Sequence, residues 1–249
     1  MGHPFEITEN IEVDATAEQA WDAIATGRGM DSWFMGRNTV EPREGGTTSF
    51  SVGDFTQTST VTTWQPPTRF AFSSGEGVMG ASHGFDYQIS ERPGGGVSIR
   101  YEHTGMLGDD WEAEYEAMQE GDPAYVYKLH QYLTHFAGRY GTSVEVVGPP
   151  VADRERAMAV YRGELGLSDD VHVDAPVKAE LDGIGSIDGS VDFLSPSFIG
   201  VLTPDAILRF IWSFDGSSYL GHHLFAEGVD RAEAERAWSD WLTRTFTDV

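Results

Sequence analysis

The chain has no cysteine among its 249 residues, which excludes disulfides, thiolate metal sites and thiol catalysis. Lysine is almost as scarce: Lys128 and Lys178 are the only two, so arginine carries most of the positive charge. Basic residues of both kinds number 16 against 40 acidic ones, a formal charge of −24. Such a surface repels phosphate backbones and anionic lipid, so neither nucleic acid nor a membrane is expected as a partner. No stretch approaches the ~20 apolar residues of a membrane span. The opening MGHPFEITENIEV has neither a basic start nor an apolar run, so it does not read as a signal peptide. Glu6 stands where a myristoylation signal needs Ser or Thr. A soluble cytoplasmic protein is the expectation, and the Arg, Ala, Gly, Asp and Glu bias fits a bacterium of high GC content or a salt-tolerant host.

Apolar residues make up 40% of the chain and aromatics 12%, enough for a large globular core in one or two domains. Alternation of Phe5, Ile7, Ile11 and Val13 predicts a strand. Asp14 and Thr16 offer helix caps before Ala17, Ala20, Trp21 and Ile24 at helical spacing, and Gly27 and Gly29 then interrupt. MDSWFM (30–35) reads as a short second helix or turn. From residue 38 to about 104, Gly and Pro punctuation between Thr- and aromatic-rich runs predicts an antiparallel meander with one wet and one apolar face. Gly94-Gly95-Gly96 is a hairpin turn in it and no phosphate loop, because no Lys-Ser/Thr follows.

Residues 109–139 turn helical, with Asp109 or Asp110 as cap and an expected break at Gly121-Asp122-Pro123 that Asp122 recaps. Gly148-Pro149-Pro150 predicts a linker, placed at 141–151, between a domain at 1–140 and a second α+β domain at 152–249. The second half reads as a helix at 152–163, β segments at 171–181, 184–194, 197–214 and 217–227, and an amphipathic helix at 230–246. That order repeats the first half without its opening strand, as a divergent duplication would.

Four segments of the first half together resemble a known family. ATAEQAWDAIATGRGMDSWF carries a polar cap, Thr16, a helical Trp21 and the Trp33-Phe34 pair. EGGTTSF, VTTWQPPTRFAF and GGGVSIRYEHTGM follow in the family's order. They resemble the START-like (SRPBCC) superfamily, in its branch of proteins similar to the heat-shock chaperone ATPase activator, over residues 3–139. One departure is clear: AYVYKLHQYL stands where the family usually has Gly-Trp. The resemblance implies an α+β helix-grip fold, a curved antiparallel sheet wrapped round a long C-terminal helix with a cavity between them. It implies small-molecule carriers, cyclases and chaperone activators alike, so it leaves function open.

On that fold Trp33, Phe34, Trp64, Phe72, Phe85, Tyr87, Tyr101, His103, Trp111, Tyr115 and Met118 are the candidate ligand-binding residues. Their number and their polar tips suit a small hydrophobic, aromatic, polyketide-like or lipid-like ligand, although each could equally be plain core. His103 and Tyr101 share a strand face and are the weak catalytic candidates. No metal or cofactor is expected: His222 and His223 would point to opposite faces of a strand, and His130 and His135 are five apart on a helix. Asp109, Asp110, Glu112, Glu114, Glu116 and Glu120 read as a solvated helix face. A binding protein is the first reading, a cyclase or hydratase the second and a chaperone-interacting module the third, with a homodimer left open.

Overall fold

A computed structural model describes residues 2–53, 55–75, 81–108 and 111–247. The chain divides into two compact units, Met1–Tyr140 and Gly141–Val249. Asp109 and Asp110, expected as a helix cap, lie outside the described residues.

The first unit opens with β1 (His3–Val13) and α1 (Ala17–Ala25). Between them Thr16 and Gln19 form a reciprocal capping box: the Thr16 hydroxyl accepts from the Gln19 amide at 3.2 Å, and the Gln19 side chain accepts from the Thr16 amide at 2.9 Å. A single-turn helix, α2 (Gly27–Met30), follows at once, capped by Thr26. The two glycines expected to interrupt the chain therefore lie inside this helix. At Gly29 a β-carbon would stand 1.8 Å from the Asp22 carbonyl oxygen, so only glycine lets α2 press against α1.

Six strands then run as a meander: β2 (Arg37–Val40), β3 (Thr47–Val52), β4 (Phe55–Gln65), β5 (Arg69–Ser73), β6 (Ser82–Glu91) and β7 (Val97–Leu107). The sheet order β1-β7-β6-β5-β4-β3-β2 closes the first strand onto the last. Alternate residues Ile7, Val61, Phe70, Tyr87, Ile89, Ile99 and Tyr101 are buried. The helix that this sheet grips is α3 (Trp111–His135). It runs unbroken through Gly121-Asp122-Pro123, contrary to the expected break. Pro123 removes one backbone donor, but Ala124, Val126, Leu129, Tyr132 and Leu133 beyond it are buried, and that packing holds the helix together across the proline.

In the second unit, β8 (Thr142–Pro150) occupies the segment expected as a linker, and it is the opening strand expected to be missing. There follow α4 (Arg154–Glu164), the meander β9 (Pro176–Leu181), β10 (Gly185–Leu194), β11 (Phe198–Thr203), β12 (Ala206–Trp212) and β13 (Ser217–Leu224), and α5 (Arg231–Phe246). Its sheet order, β8-β13-β12-β11-β10-β9, again pairs the first strand with the last. Tyr161 of α4, Phe210 of β12 and Trp238, Trp241 and Leu242 of α5 form one buried core on its sheet. Among the described residues no helix is long and apolar enough to cross a membrane.

Candidate functional site: an aromatic cleft beside a histidine pair

In the first unit the concave face of the sheet carries a cleft near α2. Phe34, Phe50, Phe72, Phe85 and Tyr87 line it with Met30, and Asn38, Thr48, Ser49, Gln57 and Ser59 supply its polar side. The strand registers bring the polar residues together: Asn38 is opposite Phe50, Phe50 opposite Gln57, and Thr48 opposite Ser59. The space between atoms amounts to about 370 Å³ including the open mouth, but the free interior is only about 20 Å³, room for one water. Asn38 is the polar residue of consequence. Its side-chain nitrogen donates to Asp31 and to the Met35 carbonyl, both at 3.1 Å, which fixes the amide orientation. Its Oδ1, buried, is left with no hydrogen-bond partner. A buried acceptor in that state costs ~1–3 kcal/mol until something donates to it.

Phe85 joins this cleft to a second feature. Its ring stacks on Phe72 at 5.0 Å and on the His103 imidazole at 4.1 Å. His103 is buried, with Phe5 edge-on at 4.9 Å. Its Nδ1 lies 2.7 Å from Asp122 Oδ2 and its Nε2 lies 3.0 Å from His83 Nδ1. His83 Nε2 in turn is 3.6 Å from Glu114 Oε1, beyond hydrogen-bond reach. An ionised carboxylate only accepts, so His103 Nδ1 carries a hydrogen to Asp122, and the bare Nε2 of neutral His103 accepts from His83 Nδ1–H. Burial, and then the neighbouring His103, hold the His83 imidazole below its ordinary range against the pull of Asp122. Burial, followed by Asp122 and Tyr87, pushes the Tyr101 phenol well above its usual range. Glu9 of β1, in register with Tyr101, is raised by burial and then by Asp122.

Of the candidate ligand-binding residues, Phe34, Phe72, Phe85 and Tyr87 line the cleft. Tyr101 and His103 lie beside it in the polar chain. Trp33 is core: it is 1% exposed and its indole nitrogen donates to the Ala23 carbonyl at 2.9 Å. Trp64 packs between Trp21 and Phe70. Trp111, Tyr115 and Met118 pack against Phe5, Ile7 and Leu107, a cluster apart from the cleft. Sequence reasoning passed over Asn38, Phe50, Gln57, His83 and Asp122 as site residues. Alternation of Gln57, Ser59 and Val61 places their side chains on one face, but which face is the concave one depends on tertiary pairing. Among the described residues no group of three His, Asp or Glu side chains is arranged to hold a metal.

Residues 14–134 match the family model described as Activator of Hsp90 ATPase homolog 1-like protein. No curated protein gives a significant match. Similar solved structures include protein MLL2253 of Mesorhizobium loti, 18% identical, covering 52% of this chain and 96% of that one with a TM-score of 0.45. Protein BH1534 of Bacillus halodurans is 20% identical, with coverage of 53% and 99% and a TM-score of 0.45. The Aha1 dimer of Colwellia psychrerythraea is 16% identical, with coverage of 52% and 96% and a TM-score of 0.44. Residues 14–134 are thus similar to the Activator of Hsp90 ATPase homolog 1-like family, and the first unit has the α+β helix-grip sheet order that the resemblance implies.

Proposed function

We propose that the N-terminal unit binds a small amphipathic molecule, aromatic, polyketide-like or lipid-like, in the cleft beside α2, as a carrier, sensor or sequestering protein. The observation that carries this reading is the buried Asn38 Oδ1, an acceptor without a partner at the polar side of an aromatic cleft. Five aromatic rings supply dispersion and burial, and one fixed acceptor selects a ligand that brings an O–H or N–H. Entry displaces the one water that the interior has room for and requires rotation of the lining rings.

The test is calorimetric titration with 2-naphthol and naphthalene, probes that differ by one hydroxyl. Saturable 2-naphthol binding is expected, with Asn38→Leu weakening it about tenfold, the worth of one hydrogen bond, while naphthalene is unaffected. Equal affinity for both probes in the wild-type protein overturns the role given to Asn38. Binding of neither overturns the cleft reading. The small free interior favours the second reading in that case: a filled grip domain that works as a protein-interaction module, as the family description implies for chaperone ATPase activation.

A further inference from the structure

Asp122, His103 and His83 form a chain joined by contacts of 2.7 and 3.0 Å, with His103 in the middle the most buried and both ends partly exposed. The histidine side chains are 5% and 18% exposed, the outer one being His83. Two largely buried histidines serving structure alone would each be best placed with both ring nitrogens bonded. Here the outermost nitrogen, His83 Nε2, bears the lone pair, and among the described residues Glu114 is the ionisable group paired with it, at 3.6 Å on a half-exposed side chain. We propose that Asp122, His103 and His83 form an acid–base catalytic relay, with His83 Nε2 as the working atom and uncharged carboxylic esters as the class of molecule acted upon. The inference does not rest on what the cleft binds.

Charge placement is the physical argument. A proton arriving on His83 Nε2 creates a cation where desolvation and His103 both oppose it. Passing the Nδ1 proton of His83 to His103 Nε2 moves that cation to the ring held 2.7 Å from the Asp122 carboxylate, where it is paired. The two rings therefore share one proton-accepting unit, whose basicity the Asp122 carboxylate sets through its 2.7 Å contact with His103 Nδ1. Uncharged substrates follow from the neighbours, since the carboxylates of Glu114 and Asp122 stand at the two ends of the unit and repel anions.

The reaction balances. Water attacks the carbonyl carbon and gives a proton to His83 Nε2; His83 Nδ1 gives its own to His103 Nε2. When the tetrahedral intermediate expels the alkoxide, His83 Nε2 protonates that alkoxide and recovers a proton at Nδ1 from His103. An ester and a water become an acid and an alcohol, and the relay is restored.

The probe is 4-nitrophenyl acetate, hydrolysed by the full chain between pH 5 and 9. Wild type is expected to exceed His83→Gln at least tenfold, with His172→Gln, on an exposed loop, matching wild type. Asp122→Asn is expected to slow the reaction and to move the midpoint of its pH–rate profile to lower pH, because the imidazolium loses its carboxylate; Tyr101, Glu9 and Glu114 are unchanged in that comparison. Should Asp122→Asn not fold, nitrogen-15 spectra of the wild-type histidines decide: both rings are expected to carry their hydrogen on Nδ1, as the contacts to Asp122 and His103 require. His83→Gln as fast as wild type, an unmoved profile in folded Asp122→Asn, or a His83 ring with its hydrogen on Nε2 overturns the relay.

Discussion

At the scale of single residues, the second unit depends on an ion pair that no local pattern announces. Arg209 and Asp192, 2% and 4% exposed, meet through two hydrogen bonds of 2.9 and 2.7 Å. Asp192 lies at the bulge of β10 and Arg209 on β12, so the pair bridges over β11 at Gly200. A β-carbon there would sit 2.5 Å from Asp192 Oδ1 and 2.6 Å from Arg209 Nη1. Gly200→Ala is therefore expected to break the bidentate contact. Asp192→Ala leaves a buried guanidinium unpaired and is expected to cost about 3–5 kcal/mol in urea denaturation, whereas Asp188→Ala, whose Lys178 partner is exposed, should cost under about 1 kcal/mol. Equal losses for Asp192→Ala and Asp188→Ala would show the buried pair to be dispensable. The amide of Arg209 also donates to His222 Nδ1 at 3.0 Å, which assigns that histidine its Nε2–H tautomer. Sequence could not show this, because 192, 200 and 209 fall on three strands and converge only through register.

At the scale of elements, strong local signals were readable and weak ones were overruled by packing. The capping box at Thr16, the strand β1 and the meander turns follow from short-range chemistry, and the structure agrees with them. Asp122 was misread because Gly-Asp-Pro is good cap chemistry; in α3 its carboxylate turns instead to His103. That helix and β6 also set a pH dependence. His83 and His130 both have imidazoles held below their ordinary range, first by burial and then by a neighbouring histidine. The unfolded chain therefore binds protons near pH 6.5 that the folded chain takes up only at lower pH, so stability rises with pH through this range and is lost on acidification below about 6.5. Urea denaturation at pH 7.5 and 5.5 is expected to show the loss in wild type and a smaller one in His83→Asn/His130→Asn. An identical loss in the double variant would assign it to other groups.

At the scale of the whole molecule, two features were readable in unequal degree. Both sheets pair their first strand with their last and run hairpins back between. The sequence suggested this repetition but hid the opening strand of the second copy behind Gly148-Pro149-Pro150. As β8 is an edge strand, paired with β13 on one side only, its prolines cost little ladder bonding. At Gly148 a β-carbon would meet Leu242 Cδ2 and Ser218 Oγ at 2.4 Å, so the glycine that reads as linker is a packing contact with α5. Net charge, by contrast, is fully given by composition, and −24 on a chain of this size makes self-repulsion a property of the fold. Against it stand exposed pairs such as Arg43–Glu41 and Lys178–Asp188, each worth under about 1 kcal/mol. Salt weakens both, but the repulsion is summed over many more charges than the pairs involve. Raising sodium chloride from 20 mM to 500 mM shortens the screening length from about 20 Å to about 4 Å. The melting temperature is expected to rise across that interval, with chloride rather than sulfate used so that preferential exclusion does not imitate screening. A melting temperature that falls would mean that the local ion pairs outweigh the net charge, and that this acidic surface stabilises the fold through its few arginines.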